Sequence, residues 1–348
     1  MSVLIVGAGF TGSVLSKTLR VTAPELTLTV WEKSRGAGGR QATKRDGEHS
    51  CDIGAQYLTH WQSDEFFQPY INVLKSTNVI HELKGNIINA PSKYEGNCVH
   101  YVAHKGMNST SKYFLSGTNV FYGTRVTSLK MLNDQSNTSQ IEVKNSEGRS
   151  AKFDAVVFTI PAPQLLEIDM DGKMAPETRE DISKVQFTPR FSLMVVFDEA
   201  PEYDWVMKYH ADDVVRFTVW DNVKRSHGLD PTLLIHCSAL YAVKNTDVKT
   251  KEEVGQEMLV RLKELFPELP VPKKVIPHFW RYGQVYKPYP GSPGLVTINE
   301  RPLILAGGDS FMETSNLSMC AKAAEILGDS LKDRFNIPKI PLREVHLK

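Results

Sequence analysis

The stretch from Met1 to Glu32 constrains the fold more than any other part of this chain. Val3-Leu4-Ile5-Val6 is a short, wholly apolar run, the pattern of a strand buried on both faces. Gly7-Ala8-Gly9-Phe10-Thr11-Gly12 follows at once, then a helical run. Leu26, Leu28 and Val30 then alternate as a second strand, which Glu32 closes. Each position has a use in a strand–turn–helix–strand unit built around a diphosphate. Gly7 permits the turn off the strand, Gly9 lets backbone approach phosphate, and Gly12 lets helix pack on strand. The helix start offers N–H groups and a partial positive charge. Glu32, at the end of the second strand, can accept hydrogen bonds from ribose hydroxyls. A glycine turn that binds nothing would give no reason for an acid at that place.

A second glycine cluster, Gly36-Ala37-Gly38-Gly39-Arg40, selects among dinucleotides. Nicotinamide-dependent dehydrogenases do not usually need a glycine pair just after the acidic residue. FAD is longer and needs more backbone approach, which Gly39 supplies, while Arg40 can face a phosphate. The chain closes on a related signal. Pro302 to Ala306 is an apolar strand that runs into Gly307-Gly308-Asp309, with a helix expected from Ser318 to Leu331. Gly308 would admit the ribityl-phosphate region and Asp309 would accept its hydroxyl hydrogen bonds. The inward face of that helix is expected to carry Met319, Ala323, Ile326 and Leu327.

Between these ends the chain reads as α/β. Helices are expected over 66–74, 107–115 and 251–265, the last with Val254, Met258, Leu262 and Leu265 on one face. Short strands with turns at Lys84-Gly85-Asn86 and Glu95-Gly96-Asn97 fill 79–102. Further strands are expected at 119–122, 124–129, 140–144, 151–154, 155–160, 190–197, 214–220 and 232–240. A length of 348 residues suits two domains better than one core. The expected FAD-binding part is 1–75, 105–165 and 296–335, the substrate part 76–104 and 166–295, with a tail at 336–348.

Composition excludes several classes. A net charge of +1 gives no nucleic-acid surface, and no apolar run nears the ~20 residues of a membrane span. Cys51, Cys98, Cys237 and Cys320 stand singly, without the paired spacing of a zinc site or redox dithiol. Reduced thiols in a reducing compartment are expected, hence a cytoplasmic location. Val3 to Leu15 lacks a basic n-region, and cleaving it would remove the phosphate loop. Sequons at Asn108, Asn137 and Asn316 are weak signals for the alternative, secretion.

The motifs resemble those of glutathione-reductase-type flavoproteins, in the branch that holds the amine oxidases. Gly38-Gly39-Arg40 looks like that branch's second flavin motif and Asp52-Ile53-Gly54-Ala55-Gln56-Tyr57 like its third. With Val3 to Ser13, Trp280-Arg281 and Gly307 to Phe311 in the same order and spacing, the chain resembles the renalases from end to end. That resemblance implies non-covalent FAD in a two-domain fold like p-hydroxybenzoate hydroxylase, a Rossmann-like domain joined to a mixed-sheet substrate domain. It implies that Thr11, Arg40, Gln56 and Tyr57 contact FAD, and that backbone near Val126 lies beside the adenine. It further implies oxidation of the 2- and 6-dihydro isomers of NAD(P)H by dioxygen, giving NAD(P)+ and hydrogen peroxide. Such direct hydride transfer needs no protein nucleophile and no obligate base, so no catalytic residue is named.

Two other readings stay open at this point. One is an amine or polycyclic-substrate oxidase, for which Lys287 would be the lysine near the flavin; a solvated surface lysine is the simpler account. The other is an extracellular flavoprotein that acts as a binding ligand. Trp280, Tyr282, Tyr286 and Tyr289 could wall a cavity for a flat ring or simply pack. His236 and His278 read as structural, and Cys320 as a buried helix thiol rather than a flavin attachment point.

Overall fold

A computed structural model describes residues 1–94, 96–132, 140–199, 201–225, 230–291 and 294–339. The sequon at Asn137, part of the turn at Glu95 and most of the expected tail lie outside the described residues. The chain separates into two compact units. Met1–Gly39, Thr110–Gln186 and Val285–Lys348 form the first, Arg40–Ser109 and Phe187–Gln284 the second.

The first unit is built on a six-stranded sheet. Its order runs Leu295–Asn299, Leu303–Gly307, Ala155–Phe158, Ser2–Val6, Thr27–Glu32, Asn119–Tyr122. All neighbours are parallel except Leu295–Asn299 against Leu303–Gly307. Val3 to Val6, Ala155 to Phe158 and Leu303 to Gly307 are buried along their lengths, as sheet centres require. Ser2–Val6 lies where the strand order reverses, and doubly wound sheets bind ligands beyond the carboxyl ends of strands at such a point.

The first helix, Phe10–Thr22, packs on the closing helix, Leu317–Phe335. A Cβ on Gly328 would meet Leu15 at 3.6 Å and Leu19 at 3.8 Å, so small residues set the spacing of this seam. The buried face of the closing helix is broader than the hydropathy pattern suggests. Ala323 and Leu327 are buried as expected, together with Cys320, Ala321, Ala324, Gly328 and Leu331, while Met319 and Ile326 are only half-buried. Alanine and glycine carry little hydropathy signal, so the contact face extends beyond the stripe that hydropathy marks.

The second unit carries a sheet in the order Lys274–Lys287, Gln186–Val196, Thr232–Cys237, Val215–Trp220, Trp205–Tyr209, Asn86–Ile88. One face packs Phe191, Leu193, Val195, Val215 and Ile235 against the helix Lys251–Leu265. That helix has the expected bounds because Thr250 and Glu253 form a capping box and Val254, Met258 and Leu262 recur on its buried face. The other face packs Met194, Val196, Met207, Phe217 and Leu234 against Ile53 and Tyr57.

Two elements depart from expectation. Thr232–Cys237 stops short of Leu240 because Ser238 caps a helix, Ala239–Asn245, accepting the Tyr241 N–H at 3.1 Å. Lys274–Lys287 is a strand that Pro277 and Gly283 concealed; it lies on the sheet edge, where a missing N–H is tolerated.

The unit boundaries also differ from the expected domain limits. Residues 40–75 and 105–109 pack in the second unit, and 166–186 and 285–295 in the first. The hairpin Thr43–Asp46/His49–Asp52 leads into Leu58–Trp61, which pairs with Cys98–Ala103. Among the described residues no helix is long and apolar enough to cross a membrane.

Candidate functional site

Three glycine-bearing turns of the first unit converge on one space. The turn after the first strand is held by the Gly7 N–H donating to Trp31 O at 2.8 Å. The Gly38 N–H donates to Ala8 O at 2.9 Å, which brings the second glycine cluster against the first. A Cβ on Gly39 would sit 3.4 Å from the Gly9 Cα. From the far end of the chain, a Cβ on Gly308 would sit 3.7 Å from Thr11 Oγ1. A Cβ on Gly9 would meet nothing within 4 Å. Open space over Gly9, bounded by two further turns and by the start of the first helix, is what an elongated diphosphate requires.

Gly12 serves a different end. A Cβ there would fall 2.1 Å from Gly7 O, so helix and turn can pack this closely only without a side chain. Glu32, 8% exposed, accepts the Ala8 N–H on one carboxylate oxygen and the Ser34 N–H on the other, each at 2.8 Å. Both oxygens are thereby aimed, and each keeps capacity for a hydroxyl. Backbone before Val126 runs beside it, with the Thr124 N–H donating to Glu32 O at 2.8 Å. These residues fit the adenosine–diphosphate portion of FAD. Glu32→Gln would turn an NH2 toward one of those backbone N–H groups. We expect it to weaken FAD binding about 10- to 100-fold, read by fluorescence titration of deflavinated protein.

Asp309 is buried at the end of Leu303–Gly307 and accepts a hydrogen bond from Ser315 Oγ. A short 3-10 turn, Asp309–Phe311, separates it from the closing helix, whose first turn is capped by Asn316 accepting the Met319 N–H at 2.8 Å. The sequon asparagine at position 316 is thus a helix cap.

Arg40, Gln56 and Tyr57 lie in the second unit. The segment 53–55 clasps Arg40 from its backbone, with the Ala55 N–H donating to Arg40 O at 2.9 Å. A Cβ on Gly54 would be 2.0 Å from that same oxygen, which explains the glycine of the third motif. Gln56 donates from Nε2 to Asp52 O at 2.6 Å and Gly54 O at 2.9 Å, while its Oε1 accepts from Lys224 Nζ at 2.9 Å. With its amide so engaged, Gln56 orders the loop. Tyr57 OH is hydrogen-bonded to Tyr209 OH at 2.5 Å, and burial, with Tyr209 beside it, holds its pKa far above the ordinary phenol value.

Beneath this loop lies a buried ionic cluster that sequence reasoning missed. Lys224 Nζ is 2.9 Å from Asp52 Oδ2 and 2.8 Å from Asp221 Oδ1, and Arg225 Nη2 is 2.6 Å from Asp221 Oδ2. All four side chains are at most 2% exposed. Asp52 also accepts from Thr43 Oγ1 at 2.7 Å and from the Met107 N–H at 2.8 Å. Burial alone would raise the Asp52 carboxyl, but Lys224 and Arg225 outweigh it and hold the pKa below its ordinary value. Burial likewise opposes the charge on Lys224, and Asp221 and Asp52 more than restore it. Two acids and two bases balance, so the cluster is neutral as a whole. The signal available in the sequence was Asp52 directly before the apolar Ile53-Gly54-Ala55; its partners Asp221, Lys224 and Arg225 stand far along the chain and carry no local signature.

Comparison with known proteins agrees with this architecture. The flavin-containing amine oxidoreductase family matches residues 92–298, and the NAD(P)-binding Rossmann-like domain family matches residues 5–72. Renalase of Mus musculus is 31% identical over 340 residues, spanning 92% of this chain and 96% of the mouse protein. A solved structure from Exiguobacterium sp. 255-15, described as a putative protoporphyrinogen oxidase, has a TM-score of 0.70 at 12% identity. That likeness covers 95% of this chain and 98% of the other, and at such identity it speaks to the fold alone. Fold, motifs and family together define an FAD-dependent oxidoreductase with a Rossmann-like unit and a mixed-sheet unit. Within the flavin-containing amine oxidoreductases, the chain belongs to the renalase family.

Proposed function

We propose that this protein oxidises the 2- and 6-dihydro isomers of NAD(P)H with dioxygen, giving NAD(P)+ and hydrogen peroxide. The observation that carries the reading is kinship to a renalase along 92% of the chain, joined to a dinucleotide cradle whose parts come from both chain ends. FAD, when bound, would supply the hydride-accepting and dioxygen-reducing chemistry. The chain's own task is to bind and orient. Gly9, Gly39 and Gly308 leave room for the diphosphate, Glu32 fixes a ribose, and the turn at Asp309 takes the ribityl hydroxyls. No residue is proposed as a nucleophile or base.

Lys287, the lysine an amine-oxidase reading would use, is exposed. Cys320 is buried on the closing helix, in keeping with FAD held without a covalent bond. Four free cysteines are in keeping with a reducing compartment, and we place the protein in the cytoplasm. The test is anaerobic mixing of the FAD-loaded protein with 2- and 6-dihydroNAD, with the 2′-phosphorylated isomers, and with simple amines. Rapid bleaching of the visible flavin absorption by the isomers, and none by amines, is expected. Bleaching by amines alone would replace this reading with an amine oxidase.

A further inference from the structure

One face of the second unit's sheet carries a polar strip, Arg190, Ser192 and His236, whose first two side chains have no partner among the described residues. Along Gln186–Val196, Phe191, Leu193 and Val195 point into one core, and Met194 and Val196 into the other. Strand alternation therefore puts Arg190 and Ser192 on the side of Met194. Pairing of Ser192 with His236 on Thr232–Cys237 sets an imidazole on that side too, next to Leu234.

Arg125, Arg225, Arg261 and Arg281 each hold a carboxylate. Arg190 is half-buried and has no hydrogen-bond or ion-pair partner among the described residues. Burial accordingly pulls its pKa below the ordinary guanidinium value. Ser192, 2% exposed, has a hydroxyl without a partner as well. His236 supplies no anion: burial, reinforced by Arg190, pushes its pKa down to about 4, so it is neutral at pH 7. Its Nε2 lies 3.3 Å from Ile53 O, which assigns the ring proton to that nitrogen. A half-buried guanidinium with no counter-charge among the described residues can take an anion from outside the chain. On the same side Phe217 is part of the buried core, and the half-buried Trp280 packs against it.

We propose that Arg190 is the anion-recognition residue of the second unit and that it binds the phosphate groups of the dinucleotide substrate. The inference rests on the substrate class proposed above and adds the chain's contact to it. A guanidinium presents two parallel N–H groups to two phosphate oxygens, which a lysine at the same place cannot do. Arg190 is thereby a binding residue, and the rate of the redox step is set elsewhere.

The test uses FAD-loaded wild type, Arg190→Gln and Arg190→Lys, each checked by thermal melting. Calorimetric titration with ADP-ribose reads phosphate recognition without turnover. Arg190→Gln is expected to weaken it about 10- to 100-fold, Arg190→Lys less, and the wild-type affinity is expected to fall with added salt. In anaerobic flavin reduction, the loss with 6-dihydroNAD is expected to exceed the loss with phosphate-free 6-dihydronicotinamide riboside by about tenfold or more. Equal losses with both substrates would assign Arg190 to the carboxamide or to structure and overturn the proposal. So would unchanged ADP-ribose affinity in Arg190→Gln, or no ADP-ribose binding by the wild type. Failure of every isomer to reduce the wild type would instead overturn the substrate class, and calorimetry would still decide Arg190.

Discussion

Gly12→Val is expected to destroy the first unit, whereas Gly9→Val, one helical turn earlier, is expected to leave a folded protein that binds no FAD. A side chain at Gly12 begins 2.1 Å from Gly7 O. The clash is with backbone, and that backbone is pinned by the Gly7 N–H to Trp31 O bond and by Thr159 Oγ1, 3.2 Å from Gly7 O. Nothing there can move aside cheaply. Overpacking of a core costs about 1–3 kcal/mol where side chains can yield, so more than about 3 kcal/mol is expected where they cannot. That is a large share of the roughly 5–15 kcal/mol of a typical domain. Gly9 has extended backbone, φ −75° and ψ −176°, which any residue can adopt, and its Cβ would point into open space. Valine there occupies only the space reserved for ligand. Melting curves and flavin content of the two variants separate the roles; colourless protein that melts with deflavinated wild type is the expected Gly9→Val result.

Lys224→Met is the second large effect. It removes one cation from a buried neutral cluster and leaves Asp52 and Asp221 facing Arg225 alone. Breaking a buried pair from one side costs about 3–5 kcal/mol, because a charge is stranded in a poorly solvating interior. Chemical denaturation at pH 7 should read a loss of that size. The pH dependence has a definite sign. In the wild type, Asp52 has a folded pKa below 3.8, so its contribution is present above that value and lost as the pH falls below it. Lys224 has a folded pKa above 10.5, so its contribution is present below that value and lost as the pH rises beyond it. Between them the cluster's contribution is flat. In Lys224→Met a stranded carboxylate has its pKa raised, and protonation relieves it. The cost of the substitution is therefore expected to be smaller at pH 5 than at pH 8.

The cradle was legible in the sequence because its demands are local. A strand, three glycines at fixed spacing, a helix and an acid at the end of the second strand all fall between Met1 and Glu32, and the acid's two oxygens are aimed by the Ala8 and Ser34 N–H groups. The helix Lys251–Leu265 was legible for the same reason, since cap and periodicity are written in adjacent residues. What escaped was set by distant pairing. The edge strand Lys274–Lys287 was masked by Pro277, and the partners of Asp52 are known only once the chain has folded. Gln56 was read as a cofactor contact from its place in a motif. Its amide turns out to lie among Asp52, Gly54 and Lys224, which makes the motif a scaffold as much as a surface. Arg190 drew no notice because an arginine in a strand is unremarkable until its missing carboxylate is seen.

The turns near Gly9, Gly39 and Gly308 lie close enough together to form one seat for a single FAD. Equilibrium titration of deflavinated wild type and Gly9→Val with FAD tests this most directly. One FAD per wild-type chain, and an affinity lower by at least about 100-fold in a Gly9→Val protein that melts with the wild type, are expected. Undiminished FAD binding by that variant would contradict the seat assigned here.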